Sequence, residues 1–187
     1  SKAGATKDAR YADNVTYMDK LVGKLTAELD RLGLREKTLV VFAGDNGTAT
    51  FGSETATVDG KLPNGKKGSM LEGGSRVPML ASWKGVTPEG RVVRDLVDFS
   101  DFFATYAELA GAPLPEGVTL DSRSFAPQIR GEPGRPREWV YVELSGQRYV
   151  RDARWKLTGD GELFDLSEAP FQEIAVAKDA TDEAAVA

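Results

Sequence analysis

The run Leu39-Val40-Val41-Phe42-Ala43 is apolar throughout and ends abruptly on Gly44-Asp45-Asn46-Gly47. A short stretch with no polar residue on either face is the pattern of a strand covered on both sides, as in a parallel sheet flanked by helices. The triplet Asp45-Asn46-Gly47 then falls at the strand's carboxyl end, where open α/β sheets place ligand-binding groups. Asp45 and Asn46 offer a carboxylate and an amide oxygen, hard donors suited to Ca²⁺ or Mg²⁺. Asn-Gly is also a common turn signal. The polar, glycine-interrupted stretch from Thr48 to Thr57 supplies no adjacent hairpin strand. On pattern alone, a metal-ligand corner and a plain loop both stay open.

Ahead of this strand, Val15, Met18, Val22, Leu25, Leu29 and Leu32 recur in alternating steps of three and four. They form one stripe of an amphipathic helix over about Arg10 to Leu32, after a frayed, polar start. Gly33 stands where a left-handed residue ends a helix. Helix, glycine, short link and buried strand make half of a parallel α/β unit.

Beyond the corner, Thr48 to about Ser69 reads as a long loop, and such loops are usually functional or disordered. It leads into Gly65-Lys66-Lys67-Gly68-Ser69-Met70-Leu71-Glu72-Gly73-Gly74-Ser75-Arg76-Val77-Pro78. Cations among glycines allow a backbone to approach an anion closely, although such a loop is more often solvated surface. Met79 to Trp83 follows as a strand and Val92 to Val97 as an extended segment. A helix is expected over Asp101–Ala110, with Ser100 as N-cap and Gly111 closing it. Its buried face should be Phe102, Phe103, Tyr106, Leu109 and Ala110. A proline-rich connection to Arg137 holds one helical turn near Phe125–Ile129. Trp139–Val142, Arg148–Val150, Trp155–Leu157 and Glu162–Phe164 then suggest an antiparallel meander. The tail, Phe171 to Ala187, reads as a final helix. The expected organisation is an α/β core part over 1–137 and a small antiparallel subdomain over 138–187.

Composition narrows the chemistry. The 187 residues contain neither cysteine nor histidine. Disulfides, thiolate metal sites and thiol catalysis are excluded, as is the commonest neutral-pH acid–base group. A formal net charge of −5 argues against nucleic acid as a partner. No apolar run approaches a membrane span. The compartment is not indicated.

Several segments together resemble the sulfatase family, the formylglycine-dependent sulfuric ester hydrolases of the alkaline phosphatase superfamily. Tyr11 to Asp19 is similar to the helix preceding that family's metal strand, and Leu39 to Gly47 to the strand itself. Lys67-Gly68-Ser69-Met70-Leu71-Glu72-Gly73-Gly74-Ser75-Arg76-Val77-Pro78 resembles its lysine and Glu-Gly-Gly-x-Arg-x-Pro segment. Val97 to Thr105 with Leu109–Gly111 resembles the helix after the sheet, and Arg154–Leu157 with Glu162–Leu166 the terminal small sheet.

The resemblance implies a partial alkaline phosphatase-like fold. Asp45 and Asn46 would be Ca²⁺ ligands, and Lys67 would be the catalytic cation on the sulfate group, with Lys66 one register away. Glu72 and Arg76 would fix the loop presenting Lys67. The family's Cys/Ser-x-Pro-x-Arg nucleophile segment, its amino-terminal aspartates and its sulfate-facing histidines do not occur in these residues. The expectation is therefore a carboxy-terminal portion, inactive alone and binding Ca²⁺ weakly or not at all. The complete enzyme would act on a sulfated small molecule or glycan. A phosphoryl-ester hydrolase of the same superfamily and a non-catalytic module are the alternatives. Self-association through an exposed sheet edge is also expected.

Overall fold

The structure, a computed structural model, describes residues 4–50 and 52–177. Helix α1 spans Lys7–Arg31, beginning earlier than the apolar stripe because the Thr6 side chain accepts from the Ala9 amide. It ends at Leu32, and Gly33 takes the left-handed φ of 68°. None of its residues is buried, and Leu25 is 56% exposed. It meets later parts of the chain at both ends, the Tyr11 ring lying against Gly52 near its start. Lys84 bonds Asp30, and the Arg35 guanidinium, just past the helix, bonds the Ser82 hydroxyl and carbonyl.

Strand β1, Val40–Ala43, pairs antiparallel with β2, Met79–Ser82, in the register Val40↔Ser82 to Ala43↔Met79. The parallel neighbour expected of the helix–strand unit is not among the described pairings. β1 is half-buried along its length, where burial on both faces was expected. β2 is its only strand partner among the described residues, so one edge lies open.

Helix α3, Asp101–Ala110, follows a short α2, Glu72–Ser75. Its buried residues are Asp101, Ala104 and Thr105, not the expected aromatic face; Phe103 is 54% exposed. Polar anchoring explains the rotation. The Thr105 hydroxyl donates to the Asp101 carbonyl and accepts from the Phe125 amide, while the Ala104 amide donates to the Ser122 hydroxyl. Ser100 does not cap the helix, since its own backbone is helical. Asp98 accepts from the Ser100 amide and hydroxyl, and the Asp98 amide donates to Asp101. Arg137 completes the anchor at 2.5 Å from Asp101, with both side chains buried.

The expected helical turn forms as α4, Ala126–Ile129. Strands β3 (Val140–Leu144), β4 (Gln147–Arg151), β5 (Trp155–Thr158), β6 (Leu163–Asp165) and β7 (Ile174–Ala175) make one sheet in chain order, each pair antiparallel. Ser145-Gly146, both at positive φ, form the two-residue turn that matches strand twist. Of the tail read as a helix, Phe171–Ala177 holds a turn and β7. Residues 178–187 lie outside the described residues. Ala104, Phe125, Ala126, Ile129, Tyr149 and Leu166 are the buried apolar core.

Candidate functional site

Antiparallel pairing brings two distant motifs together. The chain leaves β1 through Gly44-Asp45-Asn46-Gly47 and returns to β2 through Glu72–Pro78, so both lie at the same end of the pair. The Gly44 amide donates to the Pro78 carbonyl at 3.0 Å, and the Gly47 amide to the Gly74 carbonyl at 3.0 Å. The Lys67 amide donates to the Thr48 carbonyl at 2.9 Å. The Asp-Asn corner and the lysine loop are thus one backbone-bonded unit.

Glycine is required for this approach. A Cβ on Gly47 would lie 1.9 Å from the Gly73 carbonyl oxygen, and one on Gly74 would lie 2.1 Å from the Ser69 carbonyl oxygen. Neither contact is sterically admissible, so Gly47 is needed for the approach of the corner to the loop and Gly74 for the loop's own tight fold.

Asp45, Lys66 and Lys67 are exposed and Asn46 is half-buried. The structure brings the backbones of all four to one surface region. Asp45 and Asn46 have the oxygen chemistry a hard cation takes, but such ions need six to eight ligands. Among the described residues no group of three or more acidic side chains forms a metal cluster. The donor type fits and the number does not, so these residues alone make no complete metal centre.

Glu72 and Arg76 were expected to fix the lysine loop. Glu72 is 2% exposed and lies 3.6 Å from Arg76, which is itself largely exposed. The stronger partner is Arg151 on β4, which donates to Glu72 at 2.8 Å. Nearby, the Tyr149 hydroxyl and Ser75 Oγ share a hydrogen bond of 2.6 Å. Lys156 Nζ donates to the Met70 carbonyl at 2.7 Å and to both oxygens of Glu173, while the Glu72 amide donates to Glu173. Sequence reading missed Arg151, Tyr149, Lys156 and Glu173 as supports of the loop. The one available signal was a lysine inside the apolar run Trp155-Lys156-Leu157.

The fold is that of the alkaline phosphatase-like α/β enzymes, as its likeness to solved structures makes plain. A structure of Ps i-CgsB in complex with k-i-k-neocarrahexaose matches with a TM-score of 0.77 and 30% identity, over 94% of this chain and 40% of that one. PsFucS1 sulfatase from Pseudoalteromonas sp. matches with a TM-score of 0.66 and 26% identity, over 88% and 34%. The sulfatase family model matches residues 3–112, and the chain belongs to that family. Human (Homo sapiens) arylsulfatase A is 38% identical over 152 residues, 78% of this chain and 29% of that protein. Mouse (Mus musculus) steryl-sulfatase is 37% identical over 157 residues, 82% of this chain and 25% of that protein. The chain thus spans little more than a quarter of the length of these relatives. The family is generally metal-dependent.

Proposed function

We propose that this chain is the carboxy-terminal part of a sulfuric ester hydrolase, contributing part of its active site and inactive without the rest. The observation that carries the reading is the bonded unit formed by the Asp45–Gly47 corner and the lysine loop. Asp45 and Asn46 serve as two of several Ca²⁺ ligands, the ion supplying Lewis-acid polarisation of the sulfate group when bound. Lys67 directs its ammonium at the sulfate oxygens, where charge builds as the ester bond breaks. The nucleophile comes from a polypeptide segment other than these residues. We take 1–137 as the core part and 138–187 as the small antiparallel part, and the substrate as a sulfated glycan or small molecule. The relatives' names and the carrahexaose complex support that substrate class.

The test is a longer polypeptide carrying an upstream Cys/Ser-x-Pro-x-Arg segment, assayed on aryl sulfates alongside phosphate mono- and diesters. Sulfate esters should be the preferred substrates. Asp45→Ala and Lys67→Ala should each lower the rate by about two to three orders of magnitude, the usual cost of losing one transition-state charge partner. Lys66→Ala should leave it within about threefold. Full activity in both of the first two variants would overturn the assignment, and preference for phosphate esters would overturn the substrate class. Removing Ca²⁺ by chelation should abolish turnover of the complete enzyme. In this chain alone, calorimetry should detect weak Ca²⁺ binding or none.

A further inference from the structure

The small antiparallel sheet reaches into the lysine loop through a buried ion pair. The side chains of Lys156 on β5 and Glu173 just before β7 are each 3% exposed, with Nζ 2.7 Å from Oε2. Lys156 uses all three of its N–H donors: Glu173 Oε1 at 2.9 Å, Oε2 at 2.7 Å and the Met70 carbonyl at 2.7 Å. Its ammonium also lies 4.4 Å from the Tyr149 ring centroid. Glu173 Oε1 accepts in turn from the Glu72 amide at 3.2 Å. One pair of side chains therefore holds both a carbonyl and an amide of the segment Met70–Glu72, just beyond Lys67.

A lysine and a glutamate buried this deeply are costly unless their geometry is specific. Within the sheet they satisfy each other, and their remaining bonds all go to the lysine loop. Lys67 has backbone support from Thr48 on one side. On the other side, Ser69 turns back on Lys66 through its amide and hydroxyl, and the bonds to the small sheet begin at Met70 and Glu72.

We propose that Lys156 and Glu173 are positioning residues, setting the placement of the Lys67 loop from a different sheet. Hydrogen exchange on this chain tests the placement without any assumption about sulfate. The catalytic consequence alone rests on the reading of Lys67 given above. The informative variant is the double substitution Lys156→Met with Glu173→Leu, which leaves no unpaired buried charge. Its strand amides at Tyr149 and Leu157 should keep their protection within about threefold. The amides of Lys67, Glu72 and Gly73 should exchange at least about tenfold faster. Unchanged loop protection in the double variant would overturn the proposal. So would equal loss in strands and loop, because the pair would then be a general stability element.

In the longer polypeptide, the double variant should lose kcat about tenfold or more with KM within about threefold. A fall in both loop protection and kcat supports the full chain of cause. Loop loosening with kcat unchanged overturns the catalytic part and leaves the placement standing. If the unsubstituted longer polypeptide fails to cleave sulfate esters, the function above fails, while the exchange result still decides the placement.

Discussion

At the residue scale, the corner depends on backbone fit as much as on charged groups. Gly47→Ala places a methyl group against the Gly73 carbonyl and the Gly74 Cα, and both obstacles are main chain. We expect a loss of about 1–3 kcal/mol in denaturant unfolding, the usual cost of overpacking, with faster exchange at Lys67. A change below about 0.5 kcal/mol would show that the loops separate freely. Tyr149 makes a second residue-scale prediction. Burial raises its phenol above the ordinary value, opposed by the smaller pull of the Ser75 hydrogen bond. The folded state thus holds this proton more tightly than the unfolded chain. That stability is complete below the unfolded value of about 10 and is lost as pH rises through the higher folded value. Unfolding midpoints should fall in this alkaline window, and Tyr149→Phe should flatten its contribution; an unchanged profile would exclude Tyr149 as the source.

At the scale of elements, local patterns were legible and their covering partners were not. Helix α1, helix α3, the turn at α4 and the order of the meander follow from spacing, caps and turn residues that act within a few positions. Periodicity identifies an apolar face but says nothing of what lies against it. Phe103 and Tyr106 belong to such a face on α3, and both are about half exposed. The bonds from Thr105, Asp101 and Ala104 decide instead which side of α3 is buried. The direction of β1–β2 pairing was illegible for a related reason, since a strand's sequence fits a parallel or an antiparallel neighbour. The Asp-Asn-Gly corner and lysine segment could be read as motifs, but their supports Arg151 and Lys156 are far away in sequence and carry no local signature. The anchor of α3 gives a direct measurement. Arg137→Met strands the Asp101 carboxylate in a buried site, retaining only the Asp98 and Arg123 amides as donors. It should cost about 3 kcal/mol by chemical denaturation, toward the lower end for a broken buried pair. A cost under 1 kcal/mol would mean the amides suffice.

For the whole molecule, the dominant feature is apolar surface beside the β1–β2 pair. Val41, Ala43, Phe99, Phe102 and Tyr106 line an open concavity of about 330 Å³. Phe99, Phe103, Leu80 and the α1 residues Leu21 and Leu25 are exposed as well. Exposed apolar surface on this scale favours association. We predict that the isolated chain self-associates as its concentration rises, measured by sedimentation velocity. A monodisperse monomer at high concentration would refute this. Among the described residues, no helix is long and apolar enough to cross a membrane.

The pairing of β1 with β2 also bears on the order in which the molecule assembles. The five-stranded sheet joins each strand to its successor, so every pairing closes a short stretch of chain. β1 and β2 meet only after residues 44–78 have been looped out, an entropic cost of about 3 kcal/mol on simple chain statistics. Local pairings of the first kind form faster than distant ones. The expected sequence of events puts the meander first, with Lys156 and Glu173 available in it before the long loop closes. The lysine segment then settles against a surface already made, and the Asp-Asn corner takes its shape last.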